Sequence, residues 1–223
     1  MKTIFINLAL IFTLISCANT PEEETGEIRT LKILQQAFKG QKKSNIFVDS
    51  RTLLTREQID AANTPVLFIE LESGQNGTLT PYPGQGVGRT WLGADGATVT
   101  FHRGILKASR GMGDDLMGSV NFIPPWSKID DNVKPYPRKL SYITGNNQIQ
   151  QHTFKCNIEK INNQKLIKVW GIKYSVTEFQ ESCNDNELKI ENEYYVDSRD
   201  IVRRSSQYHS ETIGYILTER IDR

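Results

Sequence analysis

From Pro65 onward, apolar and polar residues alternate with a period of two. Leu67, Ile69 and Leu71 alternate with Phe68 and Glu70, and Ala97, Val99 and Phe101 alternate with Thr98, Thr100 and His102. Trp170, Ile172, Tyr174 and Val176 share one parity, as do Leu188, Ile190, Asn192, Tyr194 and Val196, and again Ile213, Tyr215, Leu217 and Ile221. Glycine, asparagine and aspartate punctuate these runs, which is the pattern of strands joined by turns. No long helical stretch separates them, so antiparallel pairing in a meander is favoured over βαβ crossovers. The expected fold is mostly β: an antiparallel meander curled into a deformed barrel, or a sandwich.

Two short helices are expected ahead of the strands. Ile28, Leu31, Leu34 and Phe38 lie on one helical face, with Gly40 as a C-cap. Thr55-Arg56-Glu57-Gln58 fits a capping box opening a helix over 55–62, and Pro65 stops it. The N-terminus reads differently. After Lys2, Ile4 to Ile15 is mostly apolar, too short to cross a bilayer as a helix and of the length of a signal-peptide core. It runs into Leu14-Ile15-Ser16-Cys17, which looks like the lipobox of bacterial lipoproteins: two aliphatics, a small residue at the cleavage point, and a thiol that can carry lipid. The resemblance implies cleavage after Ser16 and acylation of Cys17, a stable membrane anchor when several acyl chains such as palmitate are attached. Ala18 follows instead of an aspartate, which in enteric-type bacteria favours the outer membrane. Asn19 to Glu27 is polar and acidic, a tether spanning about 18 Å as a coil. The domain plan is a signal peptide over 1–16, a lipidated Cys17 with its tether over 17–27, and one β-rich domain over 28–223.

Charge narrows the partners. The 223 residues carry 27 Lys and Arg against 26 Asp and Glu, a net +1, which argues against nucleic acid, whose phosphates require a basic excess. Charged residues are 24% and hydrophobic residues 38%, unlike a disordered acidic chain or a multi-span membrane protein. With Cys17 lipidated, Cys156 and Cys183 remain as an even pair in an oxidising compartment. A disulfide closing that loop would contribute about 3–4 kcal/mol. A zinc site using His152 lacks a fourth ligand, and free thiols are the other alternative.

Catalytic patterns are weak. His102, His152 and His209 share no metal-ligand spacing, there is no G-x-S-x-G elbow, and Gly111-Met112-Gly113 has no phosphate-loop lysine after it. Asp114 or Asp115 could be one carboxylate of a glycosidase pair, with Glu178 or Asp197 as the other. They fit better as amide caps after a glycine turn, at a helix N-terminus. Trp126 and Tyr136 could stack on sugars, but packing is the commoner use of such residues. No enzyme, metal or cofactor is expected.

Several stretches together resemble the YjbF/GfcB family, lipoproteins of group 4 capsule and related exopolysaccharide operons. They are Arg89-Thr-Trp91 with Ala94-Asp95-Gly96; Gly104 to Leu116, reading GILKASRGMGDDL; Tyr136-Pro-Arg138; Phe154-Lys-Cys156; Glu181-Ser-Cys183; and Asn192-Glu-Tyr194-Tyr195-Val196-Asp197. Ser205-Ser206-Gln207-Tyr208 is similar to the family's S-R-Q-W, with serine and tyrosine replacing arginine and tryptophan. The resemblance covers roughly residues 60 to 221 and implies a deformed barrel. It also implies a non-enzymatic accessory role in polysaccharide secretion, at the periplasmic face of the outer membrane. The implied partners are an outer-membrane β-barrel and periplasmic proteins of the export system, with acidic polysaccharide as a further candidate. Arg89, Trp91, Arg110, Asp114, Asp115 and Arg138 are the candidate glycan or partner contacts. Arg110 could instead pair with Asp114 or Asp115, and Arg89 and Arg138 carry the same ambiguity. Asn192, on an otherwise apolar face, must be hydrogen-bonded if buried. A lumen that takes an acyl chain is a further reading.

Overall fold

The computed structural model describes residues 49–62, 64–83, 89–120, 126, 135–143, 146 and 148–221. Cys17, the tether and the helix expected over 28–38 lie outside these residues. The second expected helix forms as α1, Arg56–Ala62. Its capping box is reciprocal: the Thr55 amide donates to Gln58 Oε1 at 2.8 Å and the Gln58 amide to Thr55 Oγ1 at 3.3 Å.

The alternating segments form antiparallel strands: β1 Val66–Leu71, β2 Asn76–Pro81, β3 Arg89–Gly93, β4 Thr98–His102, β5 Ile105–Arg110, β6 Asp115–Val120, β7 Tyr136–Ile143, β8 Ile149–Val169, β9 Ile172–Asn184, β10 Lys189–Asp197, β11 Val202–Ser210 and β12 Gly214–Ile221. All belong to one sheet in the order β5-β4-β3-β2-β1-β12-β11-β10-β9-β8-β7-β6. Every strand therefore neighbours its successor in sequence, except that β1 pairs with β12 and the two ends of the order, β5 and β6, are joined by a short turn. The meander curls into a nearly closed barrel.

Side chains bridge the seam between β5 and β6. Ser109 Oγ accepts the Leu116 amide at 2.9 Å, Arg110 Nη1 donates to the Leu116 carbonyl at 3.0 Å, and Lys107 Nζ donates to the Ser119 carbonyl. Satisfying these edge groups removes a template for pairing with other chains.

Two hairpins share one turn chemistry. Arg103-Gly104 links β4 to β5 with φ of 49° and 84°, and Trp170-Gly171 links β8 to β9 with φ of 47° and 85°. Positive φ at both residues of a two-residue loop matches the twist of the flanking strands. Gly104 is further constrained, because a Cβ there would sit 2.1 Å from Val202 Cγ2. Trp170 is thus a turn residue, not a strand residue in phase with Ile172, and it packs edge-on against Phe68 at 6.4 Å.

Apolar residues fill both sides of the wall. Inside the barrel, Leu67, Ile69, Trp91, Val99, Leu116, Phe154, Ile190 and Ile216 belong to one cluster. Outside, Leu54, just ahead of α1, and Ile59, within it, pack with Val66, Ile167, Val176, Tyr195 and Ile221. That outer cover corrects the parity expected for β12: Ile216, Thr218 and Arg220 share the face of Leu71, Ile69 and Leu67 on β1, whereas Ile221 lies outside. Cys156 and Cys183 face each other across β8 and β9 and are disulfide-bonded. Beyond that bridge, from Asn157 to Val169, β8 has a ladder only to β9 among the described residues.

Candidate functional site

Three polar constellations lie on or beside the inner face. The first is a buried knot around Glu181 of β9. The strand alternation that points Cys183 and Phe179 inward also points Glu181 inward, where it is 0% exposed. A carboxylate there requires full hydrogen bonding. Tyr136 and Arg138 of β7 donate to it, Tyr194 Oη donates at 2.8 Å and Asn192 Nδ2 at 2.7 Å. Asn192 Oδ1 in turn accepts the Tyr208 amide at 2.7 Å, so the buried asparagine is satisfied as expected. Burial opposes the Arg138 charge, but the Glu181 carboxylate and Tyr194 outweigh it and hold its pKa above the usual arginine value. Burial, reinforced by Glu181, pushes the Tyr136 and Tyr194 phenols up, so both stay protonated donors. Arg138 is 6% exposed, and its Nη1 faces both Glu181 and Tyr194.

The second constellation lines β11, whose inward residues Ser205, Gln207 and His209 are all buried and polar. Gln207 Oε1 accepts the Leu106 amide at 2.8 Å, and its Nε2 donates to the Gly104 carbonyl at 2.9 Å. His209 Nε2 meets Ser109 Oγ at 2.8 Å. Burial lowers the His209 pKa to about 4 against the opposing pull of Asp115 and Asp114, leaving a neutral ring at pH 7. A Ser–His pair suggests nucleophilic chemistry, yet Ser109 is 1% exposed and already accepts the Leu116 amide. This pair closes the seam.

The third is a pocket of ≈ 210 Å³ lined by Arg89, Trp91, Phe101, Arg103, Thr218 and Arg220, among others. Register brings them together: Arg89 pairs with Phe101 across β3 and β4, and Leu67 with Arg220 across β1 and β12. The Arg89 and Arg220 guanidinium carbons each lie 5.8 Å from the buried Trp91 ring, in cation–π range. Arg103, held in its turn, donates to Asp200 Oδ2 at 2.9 Å, and the other oxygen of Asp200 accepts Trp126 Nε1 at 2.7 Å. Among the described lining residues none is an acid.

The remaining candidates sit in the turn between β5 and β6. Gly111 and Gly113 adopt φ of 77° and 114°, as a tight turn requires. Asp115 accepts the Gly111 and Met112 amides at 3.0 and 3.1 Å, and Asp114 accepts from Thr212. Amide capping is therefore the role of Asp115, at a β-turn and not at a helix start. Arg110 donates to the Ser109 and Leu116 carbonyls instead of pairing with either aspartate. Trp126 stacks on Phe179 at 5.9 Å and packs against Tyr194 at 5.1 Å, so packing is its role. Of the six candidate contacts, Arg89 and Trp91 meet in the pocket, Arg110, Asp114 and Asp115 share the turn, and Arg138 is inside the barrel. The sequence alone does not single out Arg103, Arg220, Glu181 or His209 as site residues. A signal exists for Glu181, an acid in phase with a buried cysteine.

Fold and interior together define a side-chain-filled meander barrel with an arginine-lined mouth. The family model described as "Group 4 capsule polysaccharide lipoprotein gfcB, YjbF" matches residues 31–221, and the chain belongs to that family. Among solved structures, the hypothetical lipoprotein YmcC from Escherichia coli (K12) is similar, with a TM-score of 0.61 and 17% identity over 75% of this chain and 88% of that one. At that identity the likeness speaks for the fold. No curated protein matches.

Proposed function

We propose that the protein is an accessory lipoprotein of capsule or exopolysaccharide secretion that performs no catalytic step. It is anchored in the outer membrane through acylated Cys17, with its barrel on the periplasmic face. The family assignment supports the polysaccharide setting. The non-enzymatic part rests on one observation, the commitment of the carboxylates that a glycosidase would need. Asp115 caps turn amides, Asp114 accepts from Thr212, Glu178 pairs with Lys165 at 2.7 Å, and Asp197 pairs with Arg203 at 2.8 Å. These sit on separate elements with structural partners, not as an opposed pair across a cleft. The side-chain-filled lumen likewise disfavours an acyl-chain carrier.

The protein acts through contacts with an outer-membrane β-barrel and periplasmic proteins of the export system. The edge of β8 beyond the disulfide supports partner contact: with no second strand beside it among the described residues, it suits strand addition, and Ile161 and Leu166 beside it are 52% and 71% exposed. The test is surface against periplasmic polysaccharide in a deletion strain complemented with wild type or Cys17→Ser. Loss of surface polymer restored only by the lipidated form is expected. Unchanged surface polymer in the deletion strain overturns the reading.

A further inference from the structure

We propose that the arginine-lined mouth is a binding site for an acidic sugar residue, seating its carboxylate between Arg89, Arg103 and Arg220. This rests on the secretion reading for the origin of the sugar, but the chemistry of the site is its own. Guanidinium is always charged and its fork matches a carboxylate. Three converge on one pocket in which no described lining residue is an acid. They are not loose surface charges. The guanidiniums of Arg89 and Arg220 each lie 5.8 Å from the ring of Trp91, which is 2% exposed, and Arg103 is fixed through Asp200, itself bonded to Trp126. That preorganisation lowers the ordering cost of binding.

Size and lining identify the ligand class. At ≈ 210 Å³ the pocket falls below the roughly 300 Å³ of a drug-sized site, so it suits one sugar ring and not an extended alkyl chain. Phe101 and Leu67 provide apolar surface for the C–H face of a pyranose, and the Thr218 hydroxyl and Gly104 backbone provide polar contacts beside it. A free phosphate or lipid headgroup would use the guanidiniums but not the apolar wall.

The test is calorimetric titration of the mature lipoprotein in neutral detergent with oligogalacturonate, a maltooligosaccharide and inorganic phosphate. Saturable binding of oligogalacturonate is expected, weaker at high salt, with none of the neutral sugar. Arg89→Gln should weaken it about tenfold, the effect of losing one charge-assisted hydrogen bond, and Arg89→Lys should recover part. Arg89 is exposed, so both variants should melt like wild type. Absence of saturable oligogalacturonate binding, equal binding by Arg89→Gln, or tighter binding of phosphate than of uronate overturns the proposal. The deletion strain separates this outcome from the secretion reading. If wild type and Arg89→Gln restore surface polymer equally, secretion stands and the pocket falls; if deletion changes nothing, the titration still decides the pocket.

Discussion

Gln207 on β11 holds Leu106 on β5 across the barrel, its Oε1 accepting the Leu106 amide at 2.8 Å between residues 101 positions apart. β5 ends the strand order, so this amide has no further strand to bond. Its edge is closed by a side chain from the opposite wall, and the same amide side chain takes up the Gly104 carbonyl at 2.9 Å.

Replacing Gln207 by methionine keeps the volume and removes both bonds, along with a third from its Nε2 to Ser205 Oγ. A buried donor left without a partner costs about 1–3 kcal/mol. Urea denaturation of Gln207→Met should show a loss in that range, with an unchanged m-value if the barrel stays closed. A loss under about 0.5 kcal/mol, typical of a neutral surface substitution, would show that Gln207 does not hold the edge.

The Glu181 knot makes a contrasting prediction. Glu181→Leu strands the buried Arg138 charge, and breaking one side of a buried pair costs about 3–5 kcal/mol. Removing both charges, Glu181→Leu with Arg138→Met, should recover much of that loss. Equilibrium denaturation of the single and double variants closes the cycle. Additive losses would mean that the two residues do not interact.

These two features mark where the sequence stops being readable. β4 and β10 alternate clearly because one face meets an apolar interior, and the meander follows from such strands. β11 escapes that pattern because its inward residues, Ser205, Gln207 and His209, are polar, and the β5 partners of Gln207 and His209, Leu106 and Ser109, lie about a hundred positions away. Trp170 reads as a strand residue because its hydrophobicity fits the alternation, while only backbone geometry shows it in a turn. The pocket is half legible: Arg89-Thr-Trp91 carries the resemblance, but Arg103 and Arg220 join it through strand register, which no local pattern encodes.

The Cys156–Cys183 bridge joins directly opposed residues of β8 and β9, at a separation of 27. In the chain-entropy account it contributes about 3–4 kcal/mol. Both cysteines are buried, so unreduced native protein should incorporate no maleimide at these positions, and Cys156→Ala with Cys183→Ala should lower stability by roughly that amount. Labelling of both positions without reductant would remove the bridge from the native protein.

His209 sets the acid limit of stability. Burial lowers its folded pKa to about 4, whereas an unfolded histidine titrates near 6.5. Between these values the unfolded chain binds a proton that the folded one does not, so stability falls as pH drops from about 6.5 towards 4. The full shift corresponds to about 3 kcal/mol. Asp49, Asp185 and Asp197 have folded pKa values below the usual carboxylate value. Their stabilisation is present above that value and is lost below about pH 4, outside the histidine window. Urea midpoints between pH 7 and pH 4.5 should therefore decline in wild type and stay nearly flat in His209→Asn, which keeps a polar group towards Ser109 but does not titrate. An equal decline in both proteins would place the acid sensitivity elsewhere in the barrel.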